Sequence, residues 1–424
     1  MKTFDEIIPE IKIILKDKTA DLANIDKLII NRDLNGRIRL LADKKLSVDN
    51  RTTLDTIAQN IAGVLGNRIP DNERVIYESS LDTIIKDIPC FPLTDFPKVF
   101  VADRLLGEAN WGKIIPENED THRIVFYSIK GGVGRSTALA VTAWALAEEG
   151  KKVLVLDMDI ESPGISSSLL QPEKSPKYGI VDWLVEDLID NGDTVFQDIF
   201  SVSDLSRNEE IFVIPSYGAD PGEYISKLGR VWMPKYVSAN DRESWQNRMN
   251  RLITQLEARH KPDVVLIDSR AGIDEIASAC IAGFGAEYIL LFAIDSAQTW
   301  DGYKILFDHW RKTEAVKKIR DRLQIVGALV PETNSGEYLE RFNERSWDMF
   351  IDKLYDNVPP EDTNDNYFSF DKDDKDAPHF PRSILWNKGF EALPNLYQPL
   401  GQQIMQEQAG RIFKHLIDHI KGIP

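Results

Sequence analysis

The sequence predicts an α/β protein in which a mostly parallel, doubly wound sheet over residues 116–424 follows a small α+β module over residues 1–115. Three observations carry this expectation. From His122 onward, short aliphatic runs alternate with stretches of helical spacing, the pattern of parallel strands joined by crossover helices. One such run leads into a glycine-rich loop that opens a helix. Two others end in aspartate, which sets carboxylates at the mouth of an open sheet, where ligands bind.

Taking the elements in order, Ile25 to Ile30 and Arg37 to Leu41 flank Asn35-Gly36, a two-residue hairpin signal. Leu54, Ile57, Ala58, Ile61 and Leu65 recur at helical spacing and form one apolar face. Lys98 to Ala102 reads as another strand. This module carries no catalytic constellation, so a docking or sensing role is expected for it. Asp103-Arg104 and Trp111 read as an ordinary packed linker. With 17 Lys/Arg against 18 Asp/Glu in residues 1–115, nearly all of the chain's formal charge of −17 falls on the remainder.

The segment Val125-Phe-Tyr-Ser-Ile-Lys-Gly-Gly-Val-Gly-Arg-Ser-Thr137 is a strand, a loop and a helix start. Gly131, Gly132 and Gly134, with Val133 among them, let backbone N–H groups turn towards a phosphate, and the helix beginning near Ser136 adds its positive end. Ser136 is the expected Mg²⁺ ligand, with Thr137 beside it. Against the general P-loop spelling, Ile129 stands where the first glycine belongs and Arg135 where the lysine belongs. The helix that follows should stop at Gly150.

Lys152 to Asp157 is then a buried parallel strand ending in Asp157-Met158-Asp159. Val181 to Ile189 reads as a helix, Ile211 to Pro215 as a strand and Tyr217 to Pro234 as an irregular excursion. Met249, Leu252, Ile253 and Leu256 mark a helix leading into the strand Asp263 to Asp268, which fits a Walker B element with Gly272 giving room near a γ-phosphate. Glu287 to Ala293 and Leu323 to Val330 are the fifth and sixth strands. The aromatic stripe Trp300, Tyr303, Phe307 and Trp310 reads as core. Residues 361–377 are acidic and should form an exposed loop. A final helix carries Ile412, Phe413, Leu416, Ile417 and Ile420 on one face, expected to pack on the sheet rather than to touch a membrane.

The spelling Lys130-Gly-Gly-Val-Gly-Arg-Ser-Thr137, followed in order by Asp157-x-Asp159 and the strand-end Asp268, resembles the ParA/MinD family of deviant Walker A, SIMIBI-class P-loop ATPases over roughly residues 120–330. The resemblance implies a P-loop NTPase fold, ATP and Mg²⁺ as ligands, and a homodimer in the ATP state. It implies that Lys130 reaches across that dimer to the partner's phosphates, that Asp159 positions the attacking water, and that Asp157 and Asp268 lie near the metal. It brings the loop after the sixth strand to the adenine, naming Pro331 and Glu332. The family has proline where Arg270 stands, and Arg270 is expected to pair with an acid. Hydrolysis would work by positioning and charge stabilisation, with Arg135 as a displaced loop cation.

A switch ATPase that controls an unidentified protein partner is therefore expected; the alternative is a nucleotide-sensing scaffold with little turnover, because Arg135 replaces the loop lysine. The negative charge argues against a general DNA-binding surface and hence against plasmid partition. Cys90 and Cys280 have no metal spacing and read as two buried thiols in a reducing compartment, the cytoplasm. A single cysteine in the nucleotide domain argues against a bridging iron–sulfur cluster, and the tail after Tyr397 lacks a tyrosine cluster.

Overall fold

The computed structural model describes residues 2–86, 88–105, 107, 109–205, 210–238, 241–359, 367–391 and 395–422. The chain divides into two compact units, Met1–Gly112 with Lys312–Glu314, and Lys113–Arg311 with Ala315–Pro424.

In the first unit, β1 (Leu28–Arg32), β2 (Ile38–Asp43), β3 (Val75–Glu78), β4 (Cys90–Leu93) and β5 (Phe96–Asp103) form a sheet in the order β3-β2-β1-β5-β4. The β1–β2 hairpin is present, but its loop runs from Asp33 to Arg37 rather than over two residues. The Asp33 carboxylate accepts the Asn35 and Arg37 N–H groups at 2.9 and 2.8 Å, and Gly36 takes a φ of 73°, so aspartate and glycine together close a longer turn. Ser47 caps the helix Val48–Leu65, whose Leu54, Ile57, Ala58, Ile61 and Leu65 are all buried. The helix Ile7–Lys16 adds Ile7, Ile11 and Leu15 to the same core. Asp103 pairs with Arg32 at 2.8 Å, Arg104 donates to Asn31 at 2.8 Å, and Trp111 is buried. Cys90 is exposed, contrary to the expected buried thiol: β4 is an edge strand, and Cys90 is its first residue.

The second unit holds β6 (His122–Ser128), β7 (Val153–Asp157), β8 (Ser201–Val202), β9 (Ile211–Ile214), the ribbon β10–β11 (Lys235–Ser238, Asp241–Glu243), β12 (Val264–Asp268), β13 (Tyr288–Ala293) and β14 (Leu323–Gly327). Its seven-stranded sheet has the order β14-β13-β6-β12-β7-β9-β8 and is parallel except for β8 at one edge. This is the expected α/β, largely parallel P-loop NTPase fold.

Alternate strand residues feed opposite faces. Ile124, Phe126, Val155, Leu266 and Phe292 pack with the helix Arg135–Ala147 and with the C-terminal helices. On the other face Arg123 bonds Glu257 of the helix Trp245–His260, and Tyr127 packs edge-on against Tyr303 of the helix Ala297–Lys312. The aromatic stripe is core: Tyr303, Phe307 and Trp310 are fully buried.

Several boundaries shift for local reasons. β14 ends at Gly327 rather than Val330, because Leu329 takes a left-handed φ of 52° and turns the chain. The final helix breaks at Phe413 into Pro399–Ile412 and Lys414–Lys421, yet Ile412, Phe413, Leu416, Ile417 and Ile420 all lie in the core beside the helix Arg135–Ala147. No described helix is long and apolar enough to cross a membrane. The Tyr217–Pro234 excursion contains a short helix, Tyr224–Leu228. Of the acidic stretch, residues 361–366 lie outside the described residues; Asp371, Lys372, Asp373, Lys375 and Asp376 are exposed.

Candidate functional site: a phosphate loop facing three aspartates

The loop between β6 and the helix Arg135–Ala147 takes the shape of a cradle. Gly132 and Gly134 have φ values of 73° and 78°, a conformation that a side chain would strain. A Cβ at Gly131 or Gly132 would meet nothing within 4 Å, so the loop's inner side is open. Val133, the exception among the glycines, is buried in the core below and anchors the loop. Gly134 caps the helix, and Ala138 N–H bonds its carbonyl at 2.9 Å.

Parallel register brings the carboxylates together. Asp157 and Asp268 are paired residues at the ends of β7 and β12. Ser136 Oγ donates to Asp268 Oδ2 at 2.7 Å. Arg135 turns back from the loop: its Nε donates to Asp268 Oδ1 at 2.8 Å, Nη1 to Ser128 Oγ at 3.3 Å and Nη2 to Asp159 Oδ2 at 3.4 Å. Lys130 is half-buried and enters no ion pair among the described residues. The two loop cations are thus used differently.

Asp157 is wholly buried; burial first, and then repulsion from Asp268, push its carboxyl up to about 7, while bonds from Ser166 oppose the shift. Asp159 is also raised by burial, with Arg135 pulling against it. Gly272, with φ 101°, donates its N–H to Ser128 O at 2.9 Å and accepts Tyr127 Oη at 3.0 Å, which fixes the turn after the Walker B strand. Arg270 pairs with Glu161, and with Asp274 at 3.4 Å, as an acid partner was expected.

Beside Gly132, Gly134 and Thr137 lies a cavity of about 160 Å³, walled by Leu329, Trp386, Asn387, Phe390 and Phe413. Pro331 and Glu332, the expected base contacts, are not among its lining residues; Glu332 is exposed and pairs with Arg411 at 3.3 Å. The turn at Leu329 carries the chain past the cavity before Pro331 is reached. Trp386 reaches the cavity on a segment hydrogen-bonded to the end of β14 and the turn after it, with Ile384 N–H on Gly327 O and Trp386 N–H on Val330 O at 2.8 and 2.7 Å. The aromatic residues in 386–413 were the available signal, but nothing local ties them to the loop.

Mg²⁺ takes oxygen donors and is held by one or two carboxylates together with substrate phosphates. The residues here suit it: the Ser136 hydroxyl and Asp268 lie together, and Asp157 Oδ1 and Asp159 Oδ1 are buried oxygens without a hydrogen-bond partner among the described residues. Among the described residues no three His, Cys, Asp or Glu side chains form a metal cage by themselves.

A family model described as ParA, NUBPL iron-transfer P-loop NTPase, matches residues 120–183. Over 248 residues the chain is 25% identical to a septum site-determining protein MinD of Buchnera aphidicola, covering 58% of this chain and 80% of that one. The unit with the phosphate loop is similar to the ParA/MinD-like P-loop NTPases. A shorter match, 48% identical over 58 residues, links this ParA/MinD-like domain to an iron–sulfur cluster carrier protein of Methanocaldococcus jannaschii, and covers 14% of this chain and 20% of that protein. Among solved structures, a ParA family ATPase from Chlorobium tepidum aligns at 16% identity and a TM-score of 0.45, over 72% of this chain and 100% of its own. MinD complexed with Mg-ADP from Pyrococcus horikoshii aligns at 20% identity and a TM-score of 0.42, over 72% and 97%. The ParA/MinD-like domain contains one cysteine, Cys280, and it is buried.

Proposed function

We propose that this chain binds and hydrolyses Mg·ATP as a dimeric switch of the ParA/MinD type, ATP closing two copies into a sandwich that engages a protein partner. The observation that carries the reading is the convergence of Ser136, Asp268 and Asp159 in front of an open glycine loop. Loop N–H groups and the helix start would receive the phosphates. Ser136 and Asp268, with Asp157 beside Asp268, would hold Mg²⁺, which would supply positive charge to neutralise the phosphates. Asp159 orients the attacking water, and the cavity at Trp386 and Phe390 seats the base. Lys130, which enters no ion pair among the described residues of its own subunit, reaches the second copy's phosphates. The N-terminal unit is the proposed contact for the partner, and the cytoplasm the proposed location.

A second reading is a nucleotide-sensing scaffold with little turnover. It is favoured by Arg135, whose guanidinium lies on Asp268 instead of standing free for the phosphates. Phosphate release by the purified protein with ATP and Mg²⁺ separates the two. Release that is lost in Asp159→Ala supports the switch; bound ATP without release supports the scaffold; failure to bind any nucleotide contradicts both.

A further inference from the structure

Both oxygens of Asp268 are engaged within the protein, Oδ1 by Arg135 Nε at 2.8 Å and Oδ2 by Ser136 Oγ at 2.7 Å. The hydroxyl and the carboxylate that a metal would approach are therefore bonded to each other and to a guanidinium. Arg135 also spans to Ser128 and to Asp159, so one side chain joins the loop, the Walker B strand and the segment after β7. Its side chain is 8% exposed, and Asp268's is 2%. A lysine could not make this bridge. Its ammonium is a single point at the end of a flexible stem, whereas the planar fork addresses several acceptors at fixed separation.

We propose that Arg135 is the resident cation of this site, neutralising Asp268 and Asp159 before any ligand arrives, so that nucleotide binding depends little on Mg²⁺. The inference rests on the nucleotide-binding reading above and adds a specificity to it. An incoming Mg²⁺ must displace a buried, hydrogen-bonded guanidinium, and separating such a pair is unfavourable. An incoming phosphate loses little without metal, because the carboxylates that would repel it already face a positive charge. A loop lysine leaves those carboxylates bare and makes metal the necessary counterion.

The test is titration of the full chain with a fluorescent methylanthraniloyl-ADP, once with excess MgCl₂ and once with excess EDTA, in wild type and in Arg135→Lys. Removing metal should weaken the wild type less than about threefold and Arg135→Lys about tenfold or more, a difference of several tenths of the logarithm of Kd. Arg135→Ala should show a metal dependence at least as large as the lysine variant's. If neither variant keeps a native thermal melt, the wild-type ratio decides by itself, with a loss of about tenfold or more overturning the proposal. An equal metal dependence in wild type and Arg135→Lys overturns it while leaving nucleotide binding intact. Absence of binding by the wild type under both conditions removes the reading on which the proposal rests.

Discussion

Asp157 and Asp268 are register partners on adjacent parallel strands, the last residue of β7 beside the last residue of β12. Their environments divide them. Asp157 is fully buried, takes Ser166 Oγ at 2.7 Å and has its ionisation pushed up to about 7, whereas Asp268 is paired with Arg135. Two adjacent carboxylates with one guanidinium make a site that already holds part of its countercharge. The first predictions follow from removing one charge at a time.

Asp268→Ala should destabilise the nucleotide-free protein by about 3 kcal/mol, because it leaves Arg135 buried with only the longer contacts to Ser128 at 3.3 Å and Asp159 at 3.4 Å. Asp159→Ala should change stability by less than about 1 kcal/mol, since Arg135 keeps its main partner. Urea unfolding followed by circular dichroism checks both; equal losses would show that Arg135 is held by the network as a whole.

In catalysis the order reverses in kind. Asp159→Ala should bind ATP within about threefold of wild type and lose hydrolysis by about 10²- to 10⁴-fold, the contribution of a group that positions a reacting water. Binding by calorimetry and turnover by phosphate release measure the two. Loss of binding as large as that of Asp268→Ala would move Asp159 to the metal.

Trp386 walls the cavity beside Thr137 and is 40% exposed, so it can meet a base. Trp386→Ala should weaken ATP binding by about 1–3 kcal/mol, the range for an aromatic–base stack, and Trp386→Phe should recover most of that. Glu332→Ala should leave affinity within about twofold, because Glu332 lies outside the cavity. The opposite pattern would restore the base to the loop at Pro331.

His260 is packed between Phe200 and Phe212, with ring centroids at 4.3 and 4.6 Å, and its Nε2 has no hydrogen-bond partner among the described residues. Burial, reinforced by Arg259, holds its folded value near 4, below the ordinary 6.5. The unfolded chain therefore takes the proton first as pH falls, and stability present above about 6.5 should decline towards pH 4. His260→Phe keeps the ring packing and removes the titration, so its urea midpoint should fall less between pH 7 and 5. His419, also held near 4 by burial, should account for part of the slope that remains. An unchanged pH dependence in His260→Phe would contradict the assignment.

The parts of this site that were legible in the sequence are those encoded by adjacent residues. The glycine spacing, the Asp157-x-Asp159 pair and the strand ending in Asp268 each carry their meaning within a few positions. Arg135 was recognised as the departure from the loop spelling, but its direction depends on β6 and β12 being neighbours, which spacing does not encode. The cavity beside the loop is hidden from the sequence for a similar reason. Leu329, unbranched at Cβ and not glycine, adopts a left-handed turn, and a segment more than fifty residues further on supplies Trp386. The Asp187 cluster was also invisible: Arg248, fully buried, meets it at 2.8 Å, and Lys235 at 3.1 Å, from positions far apart in the chain. There burial works against ionisation, but the bonds from Arg251, Arg248 and Lys235 prevail and hold the carboxyl below its ordinary range.

Lys130 bears on the central claim most directly, since it is the loop cation that its own subunit leaves without an ion pair among the described residues. Light scattering behind size-exclusion chromatography should find Asp159→Ala monomeric without nucleotide and dimeric with Mg·ATP. Adding Lys130→Ala should abolish the dimer while ATP affinity stays within about threefold, because the proposed contact of the lysine is with the second copy's phosphates and not its own. A protein with the same mass in the presence and absence of ATP, or a dimer indifferent to Lys130, would contradict the account.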